Sequence, residues 1–384
     1  MSFKKVIGKV HLWLGLASGL VVVIVAITGC LYAFQAEIQN LTQPYRFTEA
    51  QDKPYLAPSQ LKAIAEKALP GKHIHSVLYG SKTSAAEVAF YNFDPEYYYV
   101  VYLNPYTGEV LKAKDMNGGF FRIVLDGHYY LWLPPAVGQP VVAISTLVFV
   151  VMMITGLILW WPKNKSARKQ RFSVKWTARW RRVNYDLHNV FGFYMTWVVI
   201  FIALTGLVWG FQWFAKAAYW SIGGEKSTMY QEPVSDTLHT ATAYQQPVDI
   251  IWNRMKPEVP TGGTIEVHFP ETPAAAISAN INPDAGTYWQ TDYRYFDQYS
   301  LKEIPAAHIW GRYKDARTAD KVFRMNYDVH TGAILGLPGK LLAFFASLIA
   351  ASLPVTGFMI WWGRRKKKVP GRKLQVAGVA NATA

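Results

Sequence analysis

Four long apolar runs constrain this chain more than any other feature. They occupy roughly residues 12–34, 136–162, 189–213 and 338–362. Crossing the hydrocarbon core of a bilayer takes about 20 residues of α-helix, and a helix satisfies its own backbone there. With 51% hydrophobic residues and 15 Trp in 384, the runs read as four transmembrane helices. Two long polar stretches, about 35–127 and 214–329, separate the first run from the second and the third from the fourth. The expected fold is membrane α+β: a four-helix transmembrane bundle with two small α+β domains on one side. The expected divisions are 1–34 (N-terminus and first span), 35–135 (first outside domain), 136–162 (second span) and 163–185 (basic loop). They continue as 186–213 (third span), 214–337 (second outside domain), 338–362 (fourth span) and 363–384 (basic tail).

Charge sets the orientation. Residues 1–9 carry three Lys, 163–182 nine Lys or Arg and 363–384 seven, with no Asp or Glu in any of them. The whole chain has a net charge of only +15, so everything outside these segments is net negative. Lys and Arg concentrated in short flanking segments mark the cytoplasmic side. Both termini and the middle loop are therefore expected in the cytoplasm and both long stretches outside. The basic balance is a topology signal in contact with lipid, and no nucleic-acid partner is expected. Cys30 is the only cysteine, which excludes an internal disulfide framework and a thiol-rich metal site. Lys4, Lys5 and Ile27-Thr28-Gly29-Cys30 resemble a lipoprotein signal, but the Thr-Gly recurs in every other span without a Cys.

That recurrence belongs to a repeat. The first and third spans align as His11-x3-Gly15-x12-Thr28-Gly29 and His188-x3-Gly192-x12-Thr205-Gly206. The second and fourth align as Thr155-Gly156-x3-Trp160-Trp161 and Thr356-Gly357-x3-Trp361-Trp362. A tandem 2+2 repeat in one orientation implies a pseudo-two-fold axis along the membrane normal. The Thr-Gly pairs read as close-packing positions. The outside stretches also look like copies, with a helix over 59–68 and strands over 73–79, 86–92 and 97–103 in the first. The second has a helical patch at 247–256 and strands over 264–269, 275–282 and 287–296.

Nine histidines are present, and four stand at the starts of the spans: His11, His128, His188 and His330. Three share the context Arg-x3-Asp-x-His, at Arg122/Asp126, Arg182/Asp186 and Arg324/Asp328. The direction of each span pairs them by depth, His11 with His188 and His128 with His330. A single interfacial histidine is ordinarily a polar anchor, whereas intramembrane ionisable groups kept at four matched positions point to function. Two imidazoles from facing helices suit the axial positions of a haem iron. Without thiolates or further ligands they do not suit zinc. Arg122, Arg182 and Arg324 are candidate partners for haem propionates, and the Asp residues are candidates to orient imidazoles. The other five, His73, His75, His239, His268 and His308, read as surface or core residues of the outside domains.

The run Asn104-Pro105-Tyr106-Thr107-Gly108-Glu109-Val110-Leu111, with the His/Thr-Gly spans, resembles the bacterial PepSY-associated transmembrane helix family over about 5–365. The second outside domain departs from the turn motif at 296–303. Within that family, the four-span form is similar to the inner-membrane ferric-siderophore reductases. The resemblance implies two PepSY-like domains in the periplasm and two b-type haems between the spans. It also implies reduction of siderophore-bound iron by electrons from a quinol or a cytoplasmic reductase. No flavin or nicotinamide fingerprint is present. Three rival readings are a haem-free transporter or accessory for iron or another metal, a PepSY-type binding or regulatory protein, and a haem protein with a different acceptor such as cupric ion.

Overall fold

The computed structural model describes residues 2–162, 164, 168, 171–238, 244 and 246–365. Most of the basic tail, part of the basic loop and His239 lie outside the described residues. In chain order the helices are α1 (Phe3–Ala33), α2 (Gln35–Thr42), α3 (Pro58–Ala68), α4 (Phe120–Tyr130), α5 (Pro135–Trp160) and α6 (Trp180–Gly210). They continue as α7 (Gln212–Ser221), α8 (Pro247–Met255), α9 (Thr318–Arg324), α10 (Asn326–Thr331) and α11 (Gly336–Arg365). Of these, α1, α5, α6 and α11 are long and apolar enough to cross a membrane.

The four long helices pack as a ring in which α1 contacts α5 and α11, and α6 contacts the same two. Small residues at the contacts let the backbones approach, as helices in lipid require: Ala203, Ala346 and Ala350 are buried together in the middle of the bundle. Large apolar side chains such as Trp13, Leu20, Phe201 and Phe345 point outward, which in a lipid-facing bundle is the expected arrangement. Cys30 is buried within α1, its thiol against the Phe344 carbonyl oxygen.

Between the helices the chain forms strands β1 (Ile74–Tyr79), β2 (Ala86–Phe93), β3 (Glu96–Leu103), β4 (Val110–Asp115), β5 (Thr264–His268), β6 (Ile277–Asn282), β7 (Asp292–Phe296) and β8 (Glu303–Ile304). The sequence suggests two separate modules, but their strands make one antiparallel eight-stranded sheet, in the order β4-β3-β2-β1-β5-β6-β7-β8. The join is the β1–β5 pair, with Ser76 opposite His268 and Leu78 opposite Glu266. Pairing these two strands removes two exposed edges at once. On one face Val77, Val88, Phe90, Ile265, Val267 and Ile277 form a core with α3 and α8. Asp249 of α8 accepts hydrogen bonds from the Ser59 amide and hydroxyl at the start of α3, which ties the two halves across that face.

Two short elements connect this sheet to the bundle and carry two of the four span-end histidines. His128 is on α4 and His330 on α10, not on the long helices, because Pro134 and Pro135 open α5 and Gly332 breaks the chain before α11. Gly332 has φ +78° and lies against the Gly339 backbone, a conformation and an approach that only glycine tolerates.

Candidate functional site

Each Thr-Gly pair of the four long helices receives one histidine from another helix. His11 donates from Nδ1 to Thr155 Oγ1 at 2.9 Å, and His188 to Thr356 Oγ1 at 2.9 Å. His128 meets Thr28 Oγ1 at 3.2 Å and the Val25 carbonyl oxygen at 2.9 Å. His330 meets Thr205 Oγ1 at 3.0 Å and the Ile202 carbonyl oxygen at 2.9 Å. The adjoining glycine makes room for the ring. A Cβ on Gly29, Gly156, Gly206 or Gly357 would stand 3.1, 3.4, 3.3 or 3.2 Å from the Cε1 of His128, His11, His330 or His188.

The hydrogen bonds also fix the tautomer. Each threonine hydroxyl spends its proton on a carbonyl of its own helix: Thr155 on Met152, Thr356 on Ser352 and Leu353, Thr28 on Ile24 and Val25, Thr205 on Phe201 and Ile202. The threonine oxygen therefore accepts, and each Nδ1 carries the hydrogen. All four Nε2 atoms keep a free lone pair, the form in which imidazole ligates a metal.

The rings meet in two pairs. His11 and His188 lie with centroids 6.5 Å apart and planes at 84°. His128 and His330 lie 6.1 Å apart with planes at 72°. The first pair sits toward the chain termini and the second toward the sheet. They are separated along α1 by the 17 residues from His11 to Thr28, about 25 Å of helix. The terminal-side pair lines a cavity of 470 Å³ with Gly15, Gly19, Gly192, Tyr185, Arg171 and Arg364. The sheet-side pair lines one of 170 Å³ with Ala143, Ala203, Trp209 and Tyr327. Val22 and Phe149 border both.

The family described as the PepSY-associated TM region matches residues 9–364, which takes in all four histidines and all four of their Thr-Gly seats. The chain belongs to this PepSY-associated TM family. No curated protein matches it.

In this PepSY-associated TM protein the three arginines of the Arg-x3-Asp-x-His context divide. Arg122 and Arg182 pair with the aspartates four residues on, Asp126 and Asp186, as the helical i,i+4 spacing favours, and both remain partly exposed. Arg324 does not belong with them. It is buried at 3% exposure and donates to the carbonyl oxygens of Ile309, Thr291 and Gly311, holding the α9 region against the sheet. These bonds take four of its five N–H donors, and Arg324 does not line the sheet-side cavity.

The aspartates do not orient the imidazoles either. Asp186 takes Arg182 and the Lys175 amide, and Asp328 takes the Tyr288 and Trp289 amides. The orienting groups are the threonines, which sequence spacing had assigned to packing. An asparagine four residues before two of the histidines backs them: Asn184 donates to the Thr356 carbonyl oxygen and Asn326 to that of Thr205. Arg171 and Arg364, which no motif marks, line the terminal-side cavity.

Proposed function

We propose that the protein is a di-haem transmembrane oxidoreductase of the bacterial inner membrane, carrying electrons from a quinol or cytoplasmic reductase to ferric siderophore iron in the periplasm. The observation that carries this reading is the pair of depth-separated bis-histidine sites, each with its Nδ1 atoms tied back and its Nε2 atoms free. We read the four matched seats as a tandem 2+2 repeat about an axis normal to the membrane. From the basic segments we read the termini as cytoplasmic and the sheet, as two PepSY-like halves, as lying outside.

The residues fit haem best on the terminal side. Each histidine pair, with ring centroids 6.5 and 6.1 Å apart, could offer two imidazoles to one iron. The walls are apolar and built from small residues. Cationic side chains, Arg171 and Arg364, reach only the terminal-side cavity, and Arg182 is close in sequence to its His188. The 470 Å³ cavity falls in the cofactor range of about 300–1,000 Å³, whereas at 170 Å³ the sheet-side walls must part to admit a group of the same size. His11/His188 and His128/His330 would hold the two irons. Bound haem supplies a one-electron carrier with no open coordination position. The chain supplies ligand orientation through threonine, exclusion of water through the apolar walls, and positive charge at the cytoplasmic end. Reduction weakens the hold of hard oxygen ligands on iron, which gives the proposed reaction its outcome, iron release.

A dithionite-reduced-minus-oxidised spectrum of the detergent-purified protein tests the reading, with a sharp b-type α-band expected. His11→Ala and His330→Ala should each remove about half of the haem. A spectrum without that band refutes the di-haem reading.

A further inference from the structure

The cavities lined by the two histidine pairs differ in charge. Among the described residues, the terminal-side cavity is lined by Arg171 and Arg364 and by no aspartate or glutamate. The sheet-side cavity is lined by no lysine or arginine. Two sites alike in ring geometry and threonine seats are thus unlike in what they offer an anion.

The backbone at Arg171 is pinned to the bundle by aromatic rings. Trp160, the last residue of α5, is buried and stacks on Phe193 of α6, with centroids 3.8 Å apart and planes at 12°. Phe172 stands edge-on to both rings, at 5.0 and 5.5 Å. Stacked and edge-to-face rings are favourable arrangements, so the chain at 171–172 is held against the cavity wall that Trp160 and Phe193 form. Trp160 Nε1 adds a hydrogen bond to the Arg171 carbonyl oxygen at 3.3 Å.

The Arg171 side chain is held as well. Its Nη1 donates to Asn189 Oδ1 at 3.3 Å, and Asn189 Nδ2 donates to the Tyr185 carbonyl oxygen at 2.7 Å. The second bond turns the amide so that its oxygen meets the arginine. Asn189 follows His188, so the guanidinium is tethered to the turn of α6 that carries one histidine of the pair. This partner is neutral and leaves the positive charge uncompensated. Arg182, which the Arg-x3-Asp-x-His context marks, is instead paired with Asp186 at 2.9 Å and does not line the cavity.

We propose that Arg171, assisted by Arg364, is a carboxylate-binding subsite of the terminal-side cavity, and that it makes this site select a cofactor with free carboxylates. The sheet-side site lacks the subsite and accepts a cofactor without them. This rests on the haem reading above, in which the carboxylates are the propionates. The planar guanidinium fork matches a carboxylate, and an apolar cavity strengthens the attraction. The positive-inside rule accounts for bases at this end of the bundle. It does not account for one of them being pinned by three rings and turned to an amide beside His188. A cation here also favours the reduced, less positive iron, so Arg171 raises the potential of the terminal-side haem.

The test uses full-length protein produced without haem, purified in detergent and loaded with either haem or haem dimethyl ester, whose carboxylates are masked as neutral esters. A His330→Ala background leaves the terminal-side pair intact. There, haem should bind more tightly than the ester. Arg171→Gln should weaken haem about tenfold, the order of one charge-assisted hydrogen bond, and leave the ester unchanged. Arg171→Lys, which keeps the charge without the fork, should fall between. In a His11→Ala background, with the sheet-side pair intact, Arg171→Gln should alter neither ligand. Phe172→Ala frees the segment while keeping the guanidinium, and it should narrow the same preference should Arg171→Gln fail to fold.

An unchanged preference overturns the subsite. Equal weakening of haem and ester overturns it too, because it shows a structural role only. Redox titration of the fully loaded protein gives a second readout: Arg171→Gln should lower the midpoint potential of one haem, and a shift in neither overturns the assignment. A wild type that binds neither haem nor ester refutes the haem reading itself, an outcome distinct from binding both alike.

Discussion

Thr356 Oγ1 and His188 Nδ1 lie 2.9 Å apart, 168 residues from one another in the chain, and this contact recurs at all four histidines. It turns a helix-packing dipeptide into the group that sets which imidazole nitrogen is free. The Ser352 and Leu353 carbonyl oxygens behind it take the hydroxyl hydrogen, which leaves the oxygen to accept from the ring.

Thr356→Val preserves shape and removes the acceptor. Loss of such a partner typically costs 10–100-fold in metal affinity. Under dialysis against a haem acceptor, the variant should lose pigment from the His11/His188 site first. Thr205→Val should do the same at His128/His330, and a pyridine haemochrome assay reads both. Equal retention by wild type and variants would show that the threonines do not govern binding.

Glycine at the seat is a steric requirement. A Cβ on Gly357 already meets His188 Cε1 at 3.2 Å, and the branched side chain of Gly357→Val adds two methyls there. About half of the α-band should disappear. Gly363→Ala, six residues further along the same helix, meets nothing within 4 Å and should retain the full spectrum.

Arg182 and Arg324 share a motif but should respond differently. Arg324→Lys strips the planar fork from several buried carbonyl oxygens, a change worth about 3 kcal/mol. It should lower the melting temperature with the haem content of folded protein unchanged. Arg182→Lys, on a partly exposed ion pair, should cost less than about 1 kcal/mol.

Glu266 gives the sheet an acid-side signature. Burial pushes its carboxyl up, but His268 and the Ser76 hydroxyl outweigh that and hold it down at about 2. A depressed carboxylate contributes stability that is fully present above the unfolded value near 4.3. That contribution is lost as pH falls from there toward about 2. Thermal melts between pH 5 and 3 should therefore fall less steeply in Glu266→Gln than in the wild type. Parallel slopes would remove the carboxylate from the account.

The sequence by itself determined the four apolar helices, because hydropathy over about 20 residues is a local property that lipid enforces. It also marked the four histidines and Thr-Gly pairs, because their spacing repeats, and it located most strands by local pattern. Only the tertiary structure decided what holds what. Thr205 and His330 are 125 residues apart, and no periodicity within one helix says which neighbour it faces. The same motif left Arg182 near the bundle's end and sent Arg324 to the carbonyl oxygens of Thr291, Ile309 and Gly311, since one context stands on a long helix and the other on two short ones. The merging of two modules into one sheet was equally hidden, because strand edges pair through backbone groups that every residue carries. From that merger comes the meeting of His75, at the register shift between Ile74 and Ser76, with His268 of β5, ring centroids 4.9 Å apart.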